Sequence, residues 1–86
     1  KLFPPYPNPF NPTTTIRFNI SGEAPLTVSL CVFDLTGLMV QTLVDGFSEA
    51  GFHEIKWNAE NHASGVYYFK LNWESQFHIQ KAVLIK

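Results

Sequence analysis

The chain contains histidine and glutamate, which commonly bind metals or catalyse hydrolysis, but their spacing does not suit either chemistry. The histidines His53, His62 and His78 lack the H-x-H or H-E-x-x-H spacing that zinc sites favour. The glutamates considered as an acid/base pair are Glu49, Glu54, Glu60 and Glu74. No spacing among them would fix two carboxylates across a cleft for glycoside hydrolysis. We therefore predict no metal site and no catalytic residue, so the chain is not expected to be an enzyme.

Possible nucleophiles are equally isolated. Ser48, Ser64 and Ser75 lack the G-x-S-x-G turn that exposes a catalytic serine. The single cysteine, Cys31, excludes an internal disulfide and a thiolate zinc cluster, and its alternation with core positions predicts a partly accessible free thiol. A glycine-rich phosphate loop is also missing from the sequence, so we predict no cofactor.

Length and charge exclude several partners. At 86 residues the chain has room for one domain, residues 1–86, which we expect to be the C-terminal piece of a larger chain. Six cations against seven anions leave a net charge of −1, which gives no electrostatic basis for binding nucleic acid. No apolar run approaches the roughly 18–20 residues that span a bilayer.

Hydrophobic residues recur with period two, which is typical of half-buried β-strands. The predicted strands are Ile16–Ile20, Leu26–Phe33, Leu38–Val44, Gly51–Asn58, Val66–Trp73 and Gln76–Lys86. Six or seven short strands at about ten-residue spacing predict a small all-β sandwich with essentially no helix. The alternation slips near Gln80 and Lys81, where we expect a β-bulge or a change of sheet.

The inward positions of these strands define the expected core. Its members are Ile16, Phe18, Val28, Leu30, Val32, Ile55, Trp57, Tyr67, Phe69 and Leu71. Trp57 should pack against Phe69 and Leu71, whereas Tyr68 should face outward. An alternative places Trp57, Tyr67, Tyr68 and Trp73 on a sugar-stacking platform, although aromatic residues in a small sandwich are mostly needed inside.

Residues 1–13 form a proline-rich lead-in to the sandwich strands of residues 14–86. Five of the six prolines fall in the first twelve residues and keep this segment extended. Phe3, Tyr6 and Phe10 provide three apolar anchors. We therefore predict a pinned segment that covers a sheet edge.

Five segments in order resemble a known family. Tyr6–Ile16 (YPNPFNPTTTI) resembles the opening of the C-terminal sorting domain of type IX secretion, which is related to the immunoglobulin-like domain of flagellar hook-capping proteins. The other four matching segments are Val28–Gly37, Ala50–Asn58, Ser64–Leu71 and Lys81–Lys86. Leu38 and Met39 depart from the family pattern and leave an apolar spot at a hairpin tip.

The resemblance implies an immunoglobulin-like antiparallel β-sandwich that acts as a non-catalytic C-terminal sorting and surface-anchoring signal. Its implied partners are the outer-membrane export machinery, a sortase-like peptidase and an upstream cargo domain, and its implied location is the cell surface or the medium, reached via the periplasm. The residues carried over as the sorting motif are Tyr6, Pro7, Asn8, Pro9, Phe10, Asn11, Pro12, Lys81, Val83, Ile85 and Lys86. The alternative is an extracellular accessory module that binds glycan, a neighbouring domain or another protomer. Self-assembly through exposed strand edges is a third possibility without specific residue support.

Overall fold

Six β-strands make up the fold in the computed structural model, which describes residues 1–23 and 25–86. In chain order they are β1 (Thr13–Ile20), β2 (Leu26–Asp34), β3 (Met39–Ser48), β4 (Gly51–Asn58), β5 (Gly65–Trp73) and β6 (Gln76–Leu84). Over these described residues no segment is helical, which confirms the all-β prediction. The part of the chain that the structure describes has no helix long and apolar enough to cross a membrane.

The strands form two antiparallel sheets. One has two strands in the order β1-β4, and the other has four in the order β3-β2-β5-β6. Ile16 pairs with Ile55 in the first sheet, and Leu30 pairs with Leu71 in the second. Their inward residues form one hydrophobic cluster, which confirms the prediction of a small antiparallel sandwich.

Burial follows the strand alternation. The buried residues among those expected in the core are Ile16, Phe18, Val28, Leu30, Val32, Trp57, Tyr67, Phe69 and Leu71. Ile55 is only partly buried and packs against this cluster from the edge strand β4. The cluster also contains residues that the sequence argument did not assign to it: Leu2, Phe10, Ile20, Leu26, Ala59, Trp73, Ala82 and Leu84.

The β-bulge expected near Gln80 and Lys81 is wrong. β6 pairs with β5 in an unbroken register from Gln76 opposite Trp73 to Leu84 opposite Gly65. The register shifts lie instead between β2 and β3, at Leu30/Cys31 and at Val32/Phe33. The irregular stretch is therefore on the opposite edge of the four-stranded sheet.

The alternation of β6 looks broken because polar side chains occupy two inward positions. His78 stacks on Trp73, with 5.0 Å between ring centroids. Gln80 donates from Nε2 to the Leu2 carbonyl at 3.1 Å. Phe77 and Ile79 take the outward positions, where both are exposed. The inward and outward positions of β6 therefore alternate regularly, but polar and apolar residue types do not follow this alternation.

The lead-in runs along the open edges of both sheets. Its start bonds to β1, where Tyr6 and Thr15 exchange backbone hydrogen bonds at 3.1 and 2.9 Å. Its end reaches β6, where Phe10 forms a parallel bridge with Leu84. Leu2 and Phe10 are the buried anchors, whereas the Tyr6 side chain is 71% exposed. The expectation that Tyr6 anchors the segment is wrong, because its backbone makes the contact while its ring faces solvent.

Candidate functional site

The two parts of the expected sorting motif meet at the outer edge of β6. The Asn8 carboxamide forms the first link, because Oδ1 accepts from the Val83 backbone N–H at 2.9 Å. Its Nδ2 donates to the Lys81 carbonyl at 3.3 Å. The Asn8 side chain therefore satisfies two polar groups on the outer edge of β6.

Phe10 forms the second link two residues later. Its backbone N–H donates to the Val83 carbonyl at 2.9 Å, and its carbonyl accepts from the Ile85 N–H at 3.0 Å. The Phe10 ring is buried, with its centroid 5.9 Å from that of Trp57. Asn8 and Phe10 thus hold the lead-in as a short parallel neighbour of the final strand.

Further bonds hold the lead-in against the sandwich from the β1 side. Thr14, a fully buried polar side chain, donates from Oγ1 to the Pro7 carbonyl at 2.8 Å. The Pro12 carbonyl accepts from the Ala59 N–H at 2.8 Å. The peptide bonds before Pro7, Pro9 and Pro12 are cis.

The last residue is tied to the loop between β4 and β5. The Lys86 backbone N–H donates to Ser64 Oγ at 3.0 Å, and its Nζ contacts the Glu60 carbonyl. Lys81 is exposed on β6, and Ile85 is 54% exposed just beyond that strand. Lys86 is also exposed despite its contact with Glu60, so both expected cations of the motif are accessible to a partner.

These contacts define what we call the lead-in/β6 surface. Its exposed side chains are Tyr6, Pro7, Asn8, Pro9, Asn11, Lys81, Ile85 and Lys86. Val83 and Pro12 are half-buried within it, and Phe10 lies beneath it. The structure thus places the expected motif residues along the lead-in and the adjoining edge of β6, with Phe10 as a packing residue.

The turn between β2 and β3 is organised by Asp34. Its Oδ1 accepts from the Thr36 hydroxyl at 2.6 Å and from the backbone N–H groups of Thr36 and Leu38 at 2.9 and 3.1 Å. These hydrogen bonds, chiefly the one from the Thr36 hydroxyl, lower the pKa of Asp34 below its ordinary value of 3.8. The carboxylate is satisfied by the turn, which gives it a structural role.

Tyr67 lies near this turn, at the start of β5. Burial, with a smaller contribution from the negative charge of Asp34, raises the pKa of Tyr67 above 10.0. Its hydroxyl donates to the Ala63 carbonyl at 2.5 Å. The phenol therefore stays neutral and braces the loop that receives Lys86.

The sugar-stacking platform is not formed. Trp57, Tyr67 and Trp73 are 1%, 6% and 4% exposed, and only Tyr68 of the proposed four is half-buried. Trp57 instead makes edge contacts with Tyr67 and Phe69, at 5.2 and 5.5 Å between centroids. Three of the four aromatic residues are needed by the core and cannot stack on a sugar.

The histidines and acidic residues do not assemble a metal site. Within residues 1–23 and 25–86, no group of three or more histidine, cysteine, aspartate or glutamate side chains is placed to hold an ion. His53 binds the Glu49 carbonyl through Nε2 at 2.7 Å, and His62 packs on Trp57 at 5.3 Å. These histidines serve packing and loop contacts.

Sequence reasoning missed the residues that join the motif halves to the domain. Ser64 and Gln80 make such bonds to residues 22 and 78 positions away, and Thr14 bonds to Pro7, 7 positions away. Their residue types alone do not indicate these partners. For Asn8 the sequence indicated only a local role, because asparagine before proline favours turns. Its side chain instead bonds across 75 positions to Val83.

Comparison with known families identifies the family of the chain. A family model described as "Secretion system C-terminal sorting domain" matches residues 5–86. No curated protein and no solved structure matches the chain. The matched range includes both the lead-in from Pro5 onward and the whole of the final strand.

Proposed function

The chain belongs to the family of secretion system C-terminal sorting domains, and from this premise we propose that the lead-in/β6 surface is the part that the export machinery recognises. The domain is a C-terminal sorting signal for type IX secretion. Its family implies export across the outer membrane to the cell surface or the extracellular space. The proposal concerns how that signal is displayed.

The observation that carries the proposal is the junction between Asn8 and β6. Because Asn8 and Phe10 bond to Val83, the lead-in and the final strand present one continuous surface only when the domain is folded. Segments held this firmly lose little conformational entropy on docking. We therefore propose that the machinery reads a folded surface rather than a linear peptide.

The chemistry of this surface suits docking. It offers two accessible cations, Lys81 and Lys86, beside the exposed apolar side chains of Tyr6 and Ile85. Aromatic and basic groups of this kind are typical anchors of protein interfaces. We propose that the domain is non-catalytic and that cations and apolar side chains together provide its affinity.

The family match also suggests partners other than the export machinery, and we include these partners in the proposal. We propose that residues 1–86 act as one domain at the C-terminus of a larger exported protein, with a cargo domain upstream. A sortase-like peptidase would then act on the cargo after export. We also propose a relation to the immunoglobulin-like domain of flagellar hook-capping proteins, which would share the antiparallel two-sheet arrangement.

A charge reversal tests the proposed surface. Lys81→Glu changes an exposed side chain on β6, and Lys56→Glu makes the same change on the outward face of β4, across the sandwich. Both should alter stability by less than about 0.5 kcal/mol. Each is fused to an inert cargo with a Sec signal in a host that has type IX secretion, and the surface-exposed fraction of the cargo is measured.

We expect Lys81→Glu to reduce the surface fraction while Lys56→Glu leaves it unchanged, with both domains folded by circular dichroism. Equal export of the two variants would refute a role for the Lys81 cation. Equal loss from both would mean that overall charge matters rather than this surface.

A further inference from the structure

The outward face of the four-stranded sheet carries large apolar side chains in exposed positions. Phe77 and Ile79 on β6 are 61% and 52% exposed, and Leu35 and Met39 at the β2–β3 turn are 68% and 53% exposed. A contiguous apolar patch on a small soluble domain indicates an interaction surface. This face shares Lys81 with the lead-in/β6 surface, and its exposed apolar side chains are not part of that surface.

A groove of about 280 Å³ lies within this face and is lined by outward side chains of three adjacent strands. Phe33, Tyr68 and Ile79 form its apolar walls. Two cations border it: Lys70 lines the groove with its Nζ 4.9 Å from the centroid of the Phe77 ring, and Lys81 pairs with Tyr68. Asp34 also lines the groove, but its Oδ1 is engaged by the turn. We call this the apolar groove.

A matching projection lies at the other end of the same face. Phe47 on β3 is 76% exposed and pairs with Thr27 of β2. Asp45, two residues earlier in the strand, shares its outward side, and Glu49 borders the same shallow pocket as the Phe47 ring. The projection is therefore an aromatic ring beside two carboxylates.

The positions of groove and projection fit a two-fold arrangement. On β2, Thr27 lies beside the projection, because it pairs with Phe47, and Phe33 lines the groove. The two residues are about 20 Å apart along the strand at 3.3 Å per residue. If two copies stack face to face about a two-fold axis near Cys31, midway between the features, each projection meets the other copy's groove. The carboxylates of Asp45 and Glu49 then approach the cations beside the groove.

We propose that this face is a symmetric dimer interface in which Phe47 of each copy enters the apolar groove of a second copy of this chain. Four strands about 4.8 Å apart and about nine residues long cover roughly 500 Å² on each partner. The total of roughly 1,000 Å² is the lower limit for a specific interface. The dimer is therefore weak and forms at high local concentration.

Substitutions at the two features test the interface by sedimentation equilibrium of the 86-residue chain. Phe47→Ser and Ile79→Ser each remove one side of both symmetric contacts, so each should weaken dimerisation at least about tenfold. The matched control is Phe52→Ser, which removes an exposed phenylalanine from the outward face of β4. It should dimerise as the unaltered chain does.

The charges are tested in the same assay. Asp45→Lys should weaken the dimer, because it places a cation against Lys70 or Lys81. Glu54→Lys makes the same type of change on the outward face of β4 and should leave the dimer unchanged. All five altered side chains are exposed, so every variant should fold, and circular dichroism checks this.

A mixture distinguishes this geometry from other modes of association. In a dimer of one Phe47→Ser chain and one Ile79→Ser chain, one of the two contacts stays intact. The mixture should therefore associate more strongly than either variant alone. A chain that remains monomeric up to millimolar concentration would overturn the proposal. So would equal weakening by Phe52→Ser, a mixture no stronger than its components, or growth into open polymers.

Discussion

Asn8 and Val83 lie 75 positions apart in the chain, yet the Asn8 carboxamide accepts a hydrogen bond from the Val83 backbone at 2.9 Å. This bond joins the proline-rich lead-in to the final strand. Without it, the outer edge of β6 would present unpaired polar groups to solvent, as exposed edge strands do. The relationship makes the two ends of the chain one structural unit.

The first prediction is that Asn8→Ala destabilises the domain by about 1 kcal/mol, because two hydrogen bonds to β6 are lost. Asn8→Asp should not recover this loss, because a carboxylate oxygen replaces the Nδ2 donor and then faces the Lys81 carbonyl oxygen. Asn11→Ala, a nearby exposed asparagine, should cost less than about 0.5 kcal/mol. Urea denaturation measures the three free energies of unfolding. An equal loss of unfolding free energy in Asn8→Ala and Asn11→Ala would show that the hydrogen bonds between Asn8 and β6 do not stabilise the domain.

The second prediction concerns Trp57. Its ring is buried against Phe69, and its Nε1 donates to Gln41 Oε1 at 2.9 Å, which links the edge strands β4 and β3. Trp57→Ala should lower the free energy of unfolding by about 3–5 kcal/mol through the cavity it leaves. Tyr68→Ala, on the outward face of β5, should cost less than about 1 kcal/mol. The reverse order in denaturant melts would contradict the assignment of faces.

The fold class was predictable from sequence because period-two alternation is strong in Phe18, Leu30 and Phe69 and in their neighbours. The path of β6 was not, because His78 and Gln80 face inward and Ile79 faces outward. Gln80 donates to the Leu2 carbonyl, 78 positions away, whereas the His78 ring stacks on Trp73 and its Nε2 is buried with no hydrogen-bond partner among the residues that the structure describes. Local hydrophobicity cannot reveal such partners.

The candidate site was predictable as two separate segments but not as one surface. The segments matched family motifs, whereas their junction depends on the Asn8 side chain reaching an edge that no local rule identifies. Tyr6 was misread for a related reason. Aromatic residues are usually buried, but here the backbone of Tyr6 makes the contact with Thr15 and its ring does not.

The third prediction concerns the pH dependence set by Asp34. Its pKa is lower in the folded state than its ordinary value of 3.8, so its contribution to stability is fully present above that value. The contribution is lost as the pH falls through the lower, folded-state pKa. Thermal melts between neutral and strongly acidic pH should therefore show a decline below about pH 4 that is smaller in Asp34→Asn. Identical pH profiles for the two proteins would exclude this role.

The fourth prediction concerns Cys31, which is half-buried on the outward face of β2 with its Sγ 3.8 Å from Thr42 Oγ1. At low micromolar concentration, where the dimer proposed above is dissociated, the native thiol should react with a disulfide reagent. The reaction should be slower than in the unfolded chain, because part of the sulfur is covered. A thiol that reacts only after denaturation would show that the residue is inaccessible.

The last prediction addresses sorting itself. An inert cargo with a Sec signal is fused to residues 1–86 and expressed in a host with type IX secretion and in the same host without a functional export machinery. The fraction of cargo accessible to external protease is the measurement. We expect surface or extracellular cargo in the first host and periplasmic cargo in the second. Periplasmic retention of a fusion with a folded domain in the competent host would contradict it, as would export that is independent of the machinery.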